Sequence, residues 1–346
     1  MKFRFIIIRI ALISIVCSVL FISGLYNQFF SKKLLLNNYE LFIHNNDSYQ
    51  DVINELDTVL FSTNSMQITN RLLLEWFANK KRLNYWFKPG KYILNSSNSI
   101  NDIINKVRSR VQDPVTITFN SMDNIDDLFS IVSSVLALDS LDLVDYLHKN
   151  QTSKDSLYLK FIPNTYEFFW NASPEDFFNR MNLEYDNFWT LNMLDAADSQ
   201  QLSKEQVFVL ASIVDKEASH VDEMATIAGL YLNRLKQNWR LSADPTIIYI
   251  WKKDYNKKIR RIRNKHINKT KKSPFNTYHN IGLPPFPICI PSVQAIESVL
   301  FPSSHDYMFM CARPDSSEYH NFAITHSEHQ KNAKAFHHWL NQRKIY

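Results

Sequence analysis

Glycine is scarce in this chain, four residues in 346, and cysteine scarcer still, at three. Three cysteines make no disulfide framework. A resident metal finds no signature: there is no His-Glu-x-x-His, and no cysteine pair has ligand spacing. No RNA- or DNA-binding motif is present either. Charge is missing from Ile10 to Ser31, and no small-x-small cleavage site follows a short apolar core there. The lack of glycine accompanies recurrent Asn, Ile and Lys, which reads as a base-composition bias of the genome and not as function.

What is present bounds the rest. A chain of 346 residues holds two domains with a real core, and 45% apolar residues is ordinary for a globular protein. The apolar run from Phe5 to Tyr26, broken only by Arg9, is long enough to cross a bilayer as one helix. Lys2, Arg4 and Arg9 precede it, which puts the N-terminus in the cytoplasm, although Lys32 and Lys33 follow on the other side. Without a cleavage site, an uncleaved anchor over residues 1–31 is expected rather than a signal peptide. Cys17 does not mark a lipoprotein, because Val16 before it is not small and the apolar run continues past it.

Residues 203–249 are the most informative stretch. Ser203 and Gln206 match a capping box, and Leu202 with Val207 a hydrophobic staple. Val207, Leu210, Ile213 and Val214 then form one helical face, and Glu217 continues it by one turn. Burial there would raise the carboxyl pKa, as a general acid near neutral pH requires. By pattern alone, a helix-end Glu in solvent is the commoner case. A second helix is expected over about 222–238, with Met224, Ile227, Ala228, Tyr231, Leu232 and Leu235 as its apolar stripe, and Asn233 and Arg234 off it, facing a groove or solvent. Ser242-Ala243-Asp244-Pro245-Thr246 reads as a tight polar turn folding back beside Glu217, since Asp before Pro disfavours helix.

Four ordered motifs resemble the YceG-like (MltG) family of membrane-anchored endolytic murein transglycosylases. They are Ala211-Ser212-Ile213-Val214-Asp215-Lys216-Glu217; Asn233-Arg234-Leu235 with Asp244-Pro245-Thr246; Ser273-Pro274-Phe275-Asn276-Thr277-Tyr278; and Gly282-Leu283-Pro284-Pro285 with Ile290-Pro291. The resemblance spans about residues 36–340. It implies an α+β protein: a transmembrane helix (1–31), a LysM-like α/β lobe (36–120) and a catalytic domain (121–346). It implies Glu217 as the catalytic acid/base, Asp244, Tyr249, Asn276 and Tyr278 as groove residues, no cofactor and no metal. Peptidoglycan strands would be the substrate, peptidoglycan synthases possible partners, and the inner membrane the location, with the catalytic domain outside the cytoplasm. Two departures stand out. Asn164 occupies the place of an Asp in the family's Phe-x-Pro-Asp-Thr-Tyr, and Ser242 that of a Gln two residues before Asp244.

The remaining stretches are read from their own patterns. In 36–120, a strand at 39–44, helices at 48–56 and 68–79, a Pro-Gly turn into a strand ending at Leu94, and a helix at 100–107 form a small unit that resembles LysM, a glycan-binding module; a spacer or docking surface is the rival reading. A strand at Val115–Phe119 follows. Phe168, Phe169, Trp170, Phe177 and Phe178 fit core packing better than sugar stacking. Residues 251–272 carry eleven Lys or Arg against one Asp, so the rest of a chain of net charge +5 sums to about −5. An anchored extracytoplasmic domain does not meet nucleic acid, so this run suits anionic wall polymers, lipid head groups, or a solvated flap beside the groove. Towards the end, a short helix at 296–300, a buried strand at 307–312 and an amphipathic helix at 328–343 are expected. The resemblance, which includes a His-x-Phe and a later His at similar places, implies that His320 and His329 are structural or groove-lining; Cys289 and Cys311 could pair in an oxidising compartment.

Glycoside hydrolases generally use two carboxylates. None near Glu217 has comparable support, Asp244 being the best candidate. A lytic transglycosylase needs one, because the substrate's own C6 hydroxyl attacks. A two-carboxylate muramidase and a catalytically silent glycan-binding scaffold are the alternatives.

Overall fold

The structure is a computed structural model that describes residues 2–31, 35, 37–61, 67–259 and 261–343. Lys32, Lys33 and Arg260 lie outside the described residues, as do the side chains of Lys2 and Arg4 on which the expected orientation rests. The chain divides into two compact units that interleave in sequence. The first takes Met1–Thr116, Val135–Leu138 and Glu167–Ala172; the second takes Ile117–Ser134, Asp139–Tyr166 and Ser173–Tyr346.

The first unit opens with α1 (Lys2–Tyr26), which runs into a single π-helical turn at Asn27–Ser31. Ile6–Ser31 is long and apolar enough to cross a membrane, with mean hydropathy 2.7. The hairpin-like pair β1 (Tyr39–Ile43) and β2 (Gly90–Leu94) is antiparallel, with Tyr39 opposite Leu94 and Ile43 opposite Gly90. Between them run α2 (Tyr49–Phe61), α3 (Gln67–Lys80) and α4 (Leu83–Trp86); α5 (Ile100–Ser109) follows. Apolar side chains alternate inward on β2 and recur at helical spacing on α5, where Ile100, Ile103, Ile104 and Val107 are buried. Gly90 takes φ +147°, and a Cβ there would strike the Gln112 side chain at 2.2 Å, so the turn requires glycine. Trp170 joins this unit, its ring 4.9 Å from that of Phe42.

The strands β3 (Val115–Phe119) and β4 (Asn164–Phe168) pair with each other, and residues 117–119 and 164–166 of them belong to the second unit. Helices α6 (Ile125–Val135), α7 (Ser140–Lys149), α8 (Lys154–Leu157), α9 (Pro174–Phe188) and α10 (Leu191–Ser199) follow. The core forms around α11 (Lys204–Glu217), where every residue from Val207 to Val214 is buried. It packs against α10, α12 (Val221–Lys236), α13 (Asp244–Tyr255) and, beyond a six-residue helix α14 (Asn264–Lys269), α15 (Val293–Leu300). The strands β5 (Phe309–Ala312) and β6 (His320–Ala323) pair antiparallel under α16 (His326–Gln342).

Several expectations are corrected. Asp244-Pro245 starts a helix instead of a turn: a proline in the first helical turn removes an N–H that has no partner there anyway, and Asp suits the positive end of the helix dipole. The basic run is therefore half helical, supplying the end of α13 and all of α14. Strand β5 starts at Phe309 and is only half-buried, because α16 covers one of its faces. Phe168, Phe177 and Phe178 are buried, whereas Phe169 is exposed. Cys289 and Cys311 are both free thiols.

With so few glycines, other residues take the left-handed backbone positions. Arg82, Arg110, Gln151, Gln201, Asn238, Ser242, Asn256, Ser316 and Glu318 all have φ between +49° and +64°.

Candidate active site

The end of α11 carries two carboxylates with opposite environments. Asp215 turns inward and accepts hydrogen bonds from Ser121 Oγ at 2.5 Å, from the Ser292 backbone N–H at 3.0 Å, and from Ser292 Oγ. Ser292 also caps α15, and Met122 bridges to Ile290. One turn earlier, buried Ser212 Oγ accepts from the Ile288 N–H at 3.0 Å. The last turn of α11 is thus fastened on one side to residues 121–122 and 288–292.

Glu217 stands at the final position of that fastened turn, before Ala218 leaves the helix with extended backbone. Its residue surface is half-buried, but the carboxyl itself is shielded by surrounding protein. Desolvation pushes its pKa up to about 7, helped by the negative charge of Asp244. Tyr231 and Arg234 act in the opposite direction. These two lie one turn apart on α12. The fully buried Tyr231 hydroxyl is close enough to Glu217 to favour its charged form, yet closes no hydrogen bond of normal geometry. Arg234 is pinned by its own donors: Nε donates to Met308 O at 2.8 Å and a terminal nitrogen to Leu241 O. Its guanidinium centre sits 5.8 Å from the Tyr231 ring centroid.

The segments around Ser242 and Thr277 supply the facing side. Ser242 N–H donates to Thr277 O at 3.0 Å, and Ala243 N–H to Thr277 Oγ1 at 3.0 Å. The buried Thr246 and Thr277 hydroxyls meet at 3.0 Å. This clamp holds Tyr278 against the start of α13, where its hydroxyl donates to Asp244 Oδ1. Burial and that bond raise the Tyr278 pKa far above the phenol range.

Of the groove residues expected from sequence, Asp244 and Tyr278 come together with Glu217. Tyr249 and Asn276 do not. Tyr249 points from another side of α13, its hydroxyl accepting from Lys253 Nζ at 3.2 Å and its ring 4.9 Å from Phe275, and it lines a cavity of about 500 Å³ with residues of 268–275. Asn276 is fully buried: its amide donates to Ile267 O and Thr270 Oγ1, both at 3.0 Å, and its carbonyl accepts from the Tyr278 N–H at 3.0 Å. It shapes the loop that presents Tyr278. Sequence reading places Tyr231 only in an apolar stripe and leaves Arg234 off it, facing a groove or solvent; both side chains lie beside Glu217. The signal was there: a phenol inside an apolar stripe must find a polar neighbour, and Arg234 is one turn further on.

Among the described residues no group of three or more His, Cys, Asp and Glu is arranged to hold a metal ion. His320 is engaged with buried Glu223, its ring Nδ1 and its backbone N–H each 2.8 Å from a carboxylate oxygen. The ring of His329 stacks on Phe309, centroids 5.3 Å apart.

Comparison with known proteins follows the same stretch of chain. A model of the YceG-like family matches residues 41–335. An endolytic murein transglycosylase of Bacillus subtilis is 28% identical over 183 residues, which is 53% of this chain and 48% of that protein. One of Streptococcus pneumoniae is 29% identical over 134 residues, 39% of this chain and 24% of that protein. The matches therefore span half or less of those relatives' length. A crystal structure of a yceG-like protein from Listeria monocytogenes has the same fold, with TM-score 0.51 at 22% identity, over 85% of this chain and 98% of the other.

Proposed function

The chain belongs to the YceG-like family, and from that premise we propose that it is an endolytic lytic transglycosylase of peptidoglycan, anchored in the inner membrane by α1 with its second unit outside the cytoplasm. Glu217 protonates the oxygen of the bond between N-acetylmuramic acid and N-acetylglucosamine, and then accepts the proton of the muramic C6 hydroxyl as that oxygen closes on C1. The product end is a 1,6-anhydro sugar, and cutting within nascent strands would terminate their elongation.

The observation that carries this reading is the Glu217 carboxyl, raised to about 7 at the end of a fastened helix, so that both its protonated and charged forms are available near neutral pH. Asp244, already accepting from Tyr278, tunes that group and borders the sugar site. Arg234 holds the opposing positive charge. The first unit, with its paired strands and flanking helices, fits a LysM-like glycan-binding role in the same reading. The proximity of Asp244 is also what a two-carboxylate muramidase would use.

Digestion of purified sacculi by the full-length chain, followed by mass analysis, tests the proposal. Fragments one water lighter than hydrolysis products are expected. Hydrated reducing ends would assign a muramidase, and no fragments at all a glycan-binding scaffold.

A further inference from the structure

The last turns of the membrane-length helix do not lead into a free tether. Leu25 packs against the core of the first unit, and Phe29, only 2% exposed, is part of it. The Phe29 ring stacks on Phe77 of α3 at 4.4 Å, Phe30 meets the same ring edge-on at 5.7 Å, and Lys81 Nζ lies 5.9 Å and 5.6 Å over Phe30 and Phe77. The C-terminal end of α3 therefore sits where the apolar span ends.

That end of the unit has an unusual surface. Trp76, Tyr85 and Trp86 are 52%, 74% and 47% exposed. Cations accompany the rings: Lys80 Nζ is 6.0 Å from the Trp76 ring, and the Arg110 guanidinium 4.6 Å from that of Trp86. Arg108 donates to Lys81 O at 3.3 Å, which brings the end of α5 to the same place. No Asp or Glu occurs in the sequence from Trp76 to Asn101. Elsewhere in this unit lysines find partners: Lys91 pairs with Glu40 at 2.6 Å and Lys106 with Asp113 at 2.8 Å. Lys80, Lys81, Arg82, Arg108 and Arg110 form no ion pair among the described residues.

Exposed indole and phenol rings beside unpaired Lys and Arg are the composition of a membrane–water interface. The rings sit at the level of the head groups and the cations reach anionic phosphates. We propose that this end of the first unit, built from α4 and the ends of α3 and α5, lies on the bilayer from which α1 emerges and binds anionic phospholipid. The inference rests on α1 spanning the membrane.

The test uses the full chain in nanodiscs at one copy per disc, containing phosphatidylglycerol and lipids brominated high on the acyl chain. Two of the seven tryptophans, Trp76 and Trp86, are placed to meet bromine. A fractional loss of emission is expected that disappears in Trp76→Phe/Trp86→Phe. It should shrink in Lys80→Glu/Lys81→Glu/Arg110→Glu and in discs of phosphatidylcholine alone. Matching circular dichroism establishes that the variants are folded. Equal quenching of the wild type and the double-Phe variant overturns the proposal. So does shielding of the rings only in discs loaded with two chains, which would assign the face to a second copy. A chain that does not enter discs at all overturns the anchoring as well.

Discussion

The two units solve burial differently. The first has an apolar core from Phe29 to Val107, and its one buried polar residue among those described is Ser99, which caps α5. The second buries Ser212, Glu223, Thr246, Thr270, Asn276 and Thr277 among its apolar side chains. Each has its partners: Ser212 with Ile288, Glu223 with His320, Thr246 with Thr277, Asn276 with Thr270. A buried polar group without a partner costs about 1–3 kcal/mol, so such a core gains direction at the expense of tolerance. The directions it fixes are those of Glu217, Asp244 and Tyr278. The buried polar contacts of the first unit hold its own scaffold, as where Tyr92 donates to Lys88 O at 2.9 Å.

The largest expected effect belongs to the second unit alone. Glu217→Gln keeps size and hydrogen bonding but removes the proton, so activity should fall by roughly 10²–10⁴ or more. The fold should stay intact by circular dichroism. Stability separates the two forms further. Glu217 holds its proton more tightly folded than unfolded, so its contribution is full below its ordinary value of 4.5 and fades as pH rises towards about 7. Melting temperatures should therefore drift in favour of Glu217→Gln across that window, and a parallel pH dependence of the two proteins would contradict the shielded site.

Next in size is Leu56→Ala, in the middle of the first unit's core. Loss of this buried side chain should cost about 2–5 kcal/mol. Limited proteolysis should find new early cuts in residues 39–109, while the turnover of intact protein on soluble glycan is kept. Loss of turnover in undigested protein would break the division of labour. Asn276→Ala tests the other side: about 1–3 kcal/mol in stability, together with reduced kcat as Tyr278 loses its support, measured on the same protein. A stability loss with unchanged kcat would reduce Asn276 to ordinary packing.

A smaller effect is expected for Asp244→Asn. Removing this charge removes one cause of the raised Glu217 pKa, so the alkaline limb of the kcat/KM profile should move to lower pH. Above neutrality the loss should stay within about tenfold, one pKa unit being tenfold in the acid form. Abolished activity at every pH would instead make Asp244 a second catalytic carboxylate.

What the sequence disclosed was local. The Ser203–Gln206 capping box, the stripe ending at Glu217 and the helical stretch after Val221 all depend on neighbours within a few residues, and all are present. Asp244-Pro245 misled because the same dipeptide ends one helix and begins another, and only its Thr246–Thr277 clamp distinguishes the two. The fastening of Asp215 to Ser121 and Ser292 joins residues 94 and 77 positions away, beyond any periodicity. Tyr231 counted as apolar because its ring does pack in the core; only its hydroxyl belongs to the site.

The left-handed positions occupied by Arg, Gln, Asn, Ser and Glu have a consequence for mutational headroom. A side chain in that conformation is held about 1–2 kcal/mol above its preferred backbone, less for Asn. Glycine at Gln151 or Gln201, both outside the cluster around Glu217, should raise the melting temperature by a few degrees without altering turnover. Chains that drift away from glycine leave such reserves unspent and can recover them one codon at a time. Ser242 is the exception: it bends the backbone two residues before Asp244, so relaxing it would loosen the placement of that carboxylate along with the strain.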